Sequence, residues 1–137
     1  MIVSRAPLRM SFVGGGSDLP SYYRKMGGAV LSTSVDKYMY VTVNKKFDND
    51  IRLSYSITEN ESSIKQIKHP IVRNILELFD IQGGIEITSI SDITSQGSGL
   101  GSSSSYTVAL LHALYAYIGE SASKEELGRL SSHIEID

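Results

Sequence analysis

Residues 106–118 run Tyr-Thr-Val-Ala-Leu-Leu-His-Ala-Leu-Tyr-Ala-Tyr-Ile, which reads as a helix that is apolar on nearly every side. Such a helix must be buried, so the rest of the chain has to supply layers that cover it. Directly before it stands Gln96-Gly-Ser-Gly-Leu-Gly-Ser-Ser-Ser-Ser105. Gly97, Gly99 and Gly101 alternate, which lets the backbone approach a ligand closely and take positive φ. Ser102, Ser103, Ser104 and Ser105 then open the helix. A helix N-terminus offers unpaired N–H groups and the positive end of a dipole. Successive N–H groups of a glycine loop can wrap a phosphate as a nest. The serine hydroxyls add donors to phosphate and oxygen ligands suited to Mg²⁺. The segment therefore implies binding of a nucleotide's phosphates. It is not a Walker A loop, because no Gly-Lys-[Ser/Thr] follows the glycines. It also misses the dinucleotide fingerprint, since its third glycine comes one residue early. A flexible Gly/Ser linker would join polar segments, whereas this one joins a strand-like run to an apolar helix.

The remaining elements follow from periodicity. Leu8, Met10 and Phe12 alternate with Arg9, Ser11 and Val13, predicting a strand with the first set in the core. Gly14-Gly15-Gly16-Ser17-Asp18 breaks it, and a short helix over about Leu19–Met26 ends at Gly27-Gly28. Residues 29–34 and 38–44 are strand-like, as is 51–55. Residues 56–66 are polar and read as a surface loop or ragged helix. Pro70 suits a first helical turn, and Ile71, Val72, Ile75, Leu76 and Phe79 form an apolar stripe. Gly83-Gly84 is a turn before a strand over 85–90. Gly119 stops the apolar helix, and Ser123-Lys-Glu-Glu126 is a capping box for the last one. Residues 131–137 look like mid-helix with no stop signal, so the chain reads as cut rather than finished. Its stripe of Leu127, Leu130 and Ile134 would then be poorly covered. The fold class is α+β, a mixed sheet packed with helices.

At 137 residues the chain is the size of one domain with a real core. A net charge of −2, from 13 basic and 15 acidic residues, points to neither nucleic acid nor membrane as partner. The absence of cysteine excludes a disulfide framework and a cysteine zinc site. With no signal peptide at residues 1–7 and no membrane-length apolar run, the default location is cytoplasmic.

The glycine triplet after the first strand is the second informative stretch. It delivers Asp18 to an edge where a short carboxylate can accept from sugar hydroxyls; alternatively Ser17 or Asp18 caps the following helix. Arg9 lies on the strand face opposite Leu8 and Met10, where it would clamp a transferring phosphoryl group or form an ion pair at the sheet edge. His69, His112 and His133 lack metal-ligand spacing, and His112 reads as a core residue. Tyr22, Tyr23, Tyr38 and Tyr40 are candidates for stacking on a sugar or adenine, and Asp36-Lys37-Tyr38 for bordering the nucleotide. Glu135 and Asp137 are two apart and do not face each other on a helix.

Together, Pro7-Leu8-Arg9, Gly14–Asp18 and Gly99-Leu100-Gly101-Ser102-Ser103 resemble the first and second motifs of the GHMP kinase superfamily, and the resemblance covers the whole chain. It implies a ribosomal-S5-domain-2-like N-terminal domain over 1–137, followed in the family by a C-terminal domain absent here. It also implies ATP and Mg²⁺ as cofactors and a small-molecule sugar phosphate as partner. Gly97, Ser98, Gly99, Leu100, Gly101 and Ser102 to Ser105 would hold the ATP phosphates. Ser103 and Glu135 would hold Mg²⁺, and Gly15, Gly16, Ser17 and Asp18 would meet the sugar. Arg9 would stand near the transferred phosphate, and the family's base and third glycine motif would lie past Asp137. Galactokinases carry Gly-Glu-His-Thr-Asp where this chain has Gly14-Gly15-Gly16-Ser17-Asp18. Gly-Gly-Gly-Ser-Asp-Leu-Pro-Ser-Tyr-Tyr instead resembles the D-glycero-D-manno-heptose 7-phosphate kinases, with a related version in the fucose kinase branch. The expected activity is phosphorylation of a sugar's anomeric hydroxyl. A GHMP-fold sensor that binds without phosphorylating is the alternative. A ribosomal-S5-like RNA-binding module should show a basic face, which this composition lacks.

Overall fold

The computed structural model describes residues 1–94 and 98–136, with the backbone alone for Ile136. Five strands form one mixed sheet in the order β1-β2-β5-β3-β4. They are β1 (Ile2–Val13), β2 (Leu31–Lys45), β3 (Ile51–Ser54), β4 (Thr58–Glu61) and β5 (Ile85–Ser91). The helices are α1 (Pro20–Met26), α2 (Pro70–Leu78), α3 (Ser102–Tyr117) and α4 (Lys124–Ile136). All neighbouring strands are antiparallel except β3 and β5. A parallel pair cannot be joined by a hairpin. The chain therefore crosses over through β4, a 3₁₀ turn (Ile64–Gln66) and α2 before β5. The α+β expectation holds. No described helix is long and apolar enough to cross a membrane.

Alternate strand residues point to one face, as a period of two requires. Ala6 and Leu8, Val41 and Val43, Ile51 and Leu53, and Ile85 and Ile87 are all buried there. Above them lie Val72, Ile75 and Leu76 of α2 and Leu110, Leu111 and Leu114 of α3. α3 packs on β1, β2 and α4. α4 contributes a buried Leu127, with Leu130 and Ile134 packed against the core, so its stripe is covered after all. Ser123 Oγ accepts from the Glu126 N–H at 3.1 Å, the cap expected at the start of α4.

Several expectations need correction. β1 begins at Ile2, and its inward alternation stops at Leu8: Met10 is 42% and Phe12 63% exposed. The register of β1 on β2 jumps from Pro7↔Tyr38 to Arg9↔Ser34, leaving residues 35–37 bulged out of β2. A bulge re-aims the side chains beyond it. Beyond the Met39↔Ser91 pair, moreover, β5 no longer flanks β2, so the outer β1–β2 hairpin lacks a neighbouring strand. The expected gap between 34 and 38 is this bulge inside one continuous strand. Residues 58–61 form a strand rather than a loop, because Glu59 faces inward at 4% exposure. Ser102 to Ser105 form the first turn of α3 as expected, but its burial is one-sided enough to leave His112 and Ala116 exposed. His112 is therefore not a core residue.

Candidate functional site

The start of α3 is held open and fixed by three features. Gly101 is its N-cap, with φ 65° and ψ 33°, and Gly99 also has positive φ. A Cβ on Gly101 would lie 3.0 Å from the Arg9 side chain, which would have to shift to admit it, and the positive φ of Gly101 favours glycine. The Arg9 N–H donates to the Leu100 carbonyl at 3.0 Å, tying the loop to β1. Ser105 Oγ, buried, donates to the Pro7 carbonyl at 2.9 Å and pins the first turn of α3 to the same strand. Gly97 and Asp137 lie outside the described residues.

Arg9 makes no ion pair among the described residues; its Nη1 donates to Ser11 Oγ at 2.7 Å. That leaves an exposed guanidinium beside Gly101, at the mouth of the loop. Glu135 reaches the same mouth from α4. Its Oε1 accepts from Ser103 Oγ at 3.2 Å and lies 2.9 Å from Thr107 Oγ1; its Oε2 accepts from Ser104 Oγ at 3.1 Å. This donor set consists of oxygens alone, which suits Mg²⁺ and not a soft metal. No group of three or more His, Cys, Asp or Glu gathers among the described residues. A cation here would therefore complete its shell with phosphate oxygens and water, as Mg²⁺ usually does. The electrostatics agree. Glu135 would repel a phosphate placed on the α3 N-terminus, and a divalent cation between them turns that repulsion into attraction.

The glycine triplet forms a tight loop. A Cβ on Gly14, at φ +93°, would collide with the Ala29 carbonyl. Ser17 Oγ donates to the Gly14 carbonyl at 2.7 Å and accepts from the Ala29 N–H at 3.2 Å, so it clamps the loop to the approach to β2. Neither Ser17 nor Asp18 caps α1, whose N-cap is Leu19 with no side-chain bond. Asp18 Oδ1 instead accepts from the Gly16 N–H at 3.1 Å. Asp18 is exposed and lines a shallow hollow with Ser17, Tyr23 and Gly28, while Gly15 and Gly16 face solvent.

Beside the first turn of α3 lies a cleft of about 540 Å³, bordered by Ser102, Ser103, Tyr55, His69, Ile71 and Tyr106. Of its aromatic rings, only His69 is weighed from the sequence, and only as a metal ligand. Tyr55 meets the His69 ring edge-on at 4.8 Å, and His69 lies 5.4 Å from the Tyr106 ring. Below them, Glu59 accepts from Tyr55 Oη at 2.5 Å and from the Lys68 N–H at 2.8 Å. Burial raises the Glu59 carboxyl, but these bonds outweigh it and leave the net value below the usual range. Burial and the bond to Glu59 push the Tyr55 hydroxyl up to about 12. His69 is held low by burial, against the pull of Glu59. Of the tyrosines named from the sequence, Tyr23 borders the hollow at Asp18. Tyr38 and Tyr40 pair with each other at 6.1 Å, with Arg5 over the Tyr38 ring at 4.5 Å.

The profile of the N-terminal domain of GHMP kinases matches residues 64–137, more than half of the chain. The chain belongs to the GHMP kinase family. A D-glycero-alpha-D-manno-heptose 7-phosphate kinase of Campylobacter jejuni is 27% identical over 98% of this GHMP kinase chain and 43% of its own length. The crystal structure of a D-glycero-D-manno-heptose 1-phosphate kinase from Bacteroides thetaiotaomicron superposes with a TM-score of 0.83 at 27% identity, covering 97% of this chain and 47% of that one. Lactococcus lactis galactokinase, in complex with galactose, shares the fold at 19% identity and a TM-score of 0.72, over 97% of this chain and 37% of that one. The chain thus spans less than half the length of these relatives.

Proposed function

We propose that the protein carrying this chain transfers the γ-phosphoryl of ATP to the anomeric hydroxyl of D-glycero-D-manno-heptose 7-phosphate. One observation carries the reading: the Gly99–Ser103 loop, the Arg9 guanidinium and the Glu135 carboxylate converge at the N-terminus of α3. Phosphoryl transfer asks little of a protein beyond positioning and charge neutralisation, and these groups supply both. The loop N–H groups and the α3 dipole hold the phosphates. Arg9 stabilises the charge that spreads over the transferred group. Bound Mg²⁺, held by Ser103 and Glu135, would neutralise charge between the phosphates. The cleft of Tyr55, His69 and Tyr106 adjoins Ser102 and Ser103 and takes the nucleoside. The sugar oxygen forms a bond to the γ-phosphorus as the bond to the β-phosphate oxygen breaks and ADP leaves. The resemblance puts the acceptor of the hydroxyl proton past Asp137.

The glycine triplet supports an acceptor that is already phosphorylated. Two absent side chains at Gly15 and Gly16 leave open space in an exposed loop. The names of the two relatives at 27% identity place the phosphate at different positions, 7 and 1. The test is therefore ³¹P NMR of the protein with Mg-ATP and, in turn, heptose 7-phosphate, fucose and galactose. The expected result is a new anomeric phosphate resonance with heptose 7-phosphate at the highest rate. Faster turnover of galactose would refute the branch, and ATP binding without transfer to any sugar would favour the sensor.

A further inference from the structure

Thr107 was not among the site residues read from the sequence, yet its hydroxyl is the innermost contact of Glu135. The residue is fully buried at 0% exposure. Its Oγ1 lies 2.9 Å from Glu135 Oε1 and 3.0 Å from the Ser103 carbonyl. A hydroxyl has one proton to give. A mid-helix threonine ordinarily gives it to the carbonyl four residues back. An ionised carboxylate is the stronger acceptor, with charge-assisted bonds roughly twice as strong as neutral ones. The proton therefore goes to Glu135.

We propose that Thr107 is the positioning residue that sets the Glu135 carboxylate over the first turn of α3. The inference rests on the reading of Glu135 as an Mg²⁺ ligand. Glu135 is an exposed residue near the end of α4, and a free glutamate side chain there would sample many rotamers. Ser103 and Ser104 also touch it, but both sit in the first turn, where a phosphate or cation would draw their hydroxyls away. Thr107 is one turn deeper, and its β-branched side chain is stiff at χ1. It can hold one carboxylate oxygen while the ligand takes the rest. Groups that orient a metal ligand in this way typically change metal affinity by roughly 10–100-fold when lost.

The experiment counts free Mn²⁺ by electron paramagnetic resonance while the protein is titrated in the presence of AMP-PNP. Thr107→Val keeps the shape and removes the hydroxyl; it should weaken Mn²⁺ binding by roughly 10–100-fold. Thr107→Ser restores the hydroxyl and should recover most of the affinity. Should the valine variant fold poorly, Thr107→Cys offers only a weak donor and should show the same loss. A valine or cysteine variant that melts lower but binds Mn²⁺ as the parent does would overturn the proposal and leave Thr107 a purely structural residue. Glu135→Gln separates the two readings. If it loses Mn²⁺ while Thr107→Val does not, the inference alone fails. If Glu135→Gln binds normally, the metal reading fails, and the inference falls with it.

Discussion

Single residues show how closely the two glycine segments are tied to geometry. Gly14 and Gly15 are neighbours with opposite requirements. A Cβ at Gly14 meets the Ala29 carbonyl at positive φ, whereas one at Gly15 meets nothing within 4 Å among the described residues. Gly14→Ala should cost at least about 1–3 kcal/mol, the usual range for a strained backbone position. Gly15→Ala should stay within about 0.5 kcal/mol; urea unfolding of both variants checks this. His69 gives a pH dependence. Its folded pKa lies below the ordinary 6.5, so the unfolded chain takes up more protons as pH drops. The stabilising contribution is present above 6.5 and lost as pH falls through the folded value. The melting temperature should therefore fall between pH 7 and the onset of carboxylate titration, and fall less in His69→Phe. Equal slopes would show that His69 does not carry this dependence. Glu59, with a lowered carboxyl pKa, adds a second loss that begins below its ordinary 4.5. Arg9 and Ser103 could be singled out because each stands in a motif, and Glu135 only through the family resemblance. Thr107 and His69 were not, because their significance lies in contacts with residues far along the chain.

Among elements, α3 and the outer half of β1 are opposites. Leu110 is fully buried, and Leu110→Ala should cost about 2–5 kcal/mol. Phe12, which the alternation placed in the core, is 63% exposed, and Phe12→Ser should change stability by less than about 0.5 kcal/mol. Thermal denaturation of the two variants would separate these cases by many degrees. The sequence spoke clearly where side-chain periodicity matched burial. α2 was visible from Pro70 and its apolar stripe, and α4 from its capping box. β4 was invisible because Thr58-Glu-Asn-Glu61 is polar throughout, and what places it is pairing with β3 and the inward Glu59. The end of the core along β1 was also hidden. A bulge at residues 35–37 of β2, opposite Leu8, cannot be read from alternating apolar residues.

Across the whole molecule, the sheet brings three distant stretches to one edge. β1 carries Arg9 to the loop, α3 presents its N-terminus, and α4 returns Glu135 over it. None of the three makes a phosphate site alone. In the reading proposed above, this edge binds Mg-ATP through the Gly99–Ser103 loop. A Cβ on Gly99 would meet no atom within 4 Å among the described residues beyond its chain neighbours, so a larger side chain there would project into the space assigned to the phosphates. The most direct measurement is calorimetric titration of Mg-ATP into the parent protein and into Gly99→Val, with the fold of both checked by circular dichroism. The parent should show saturable binding that depends on Mg²⁺, and a folded Gly99→Val should show none. Equal affinity in the two folded proteins would contradict that reading.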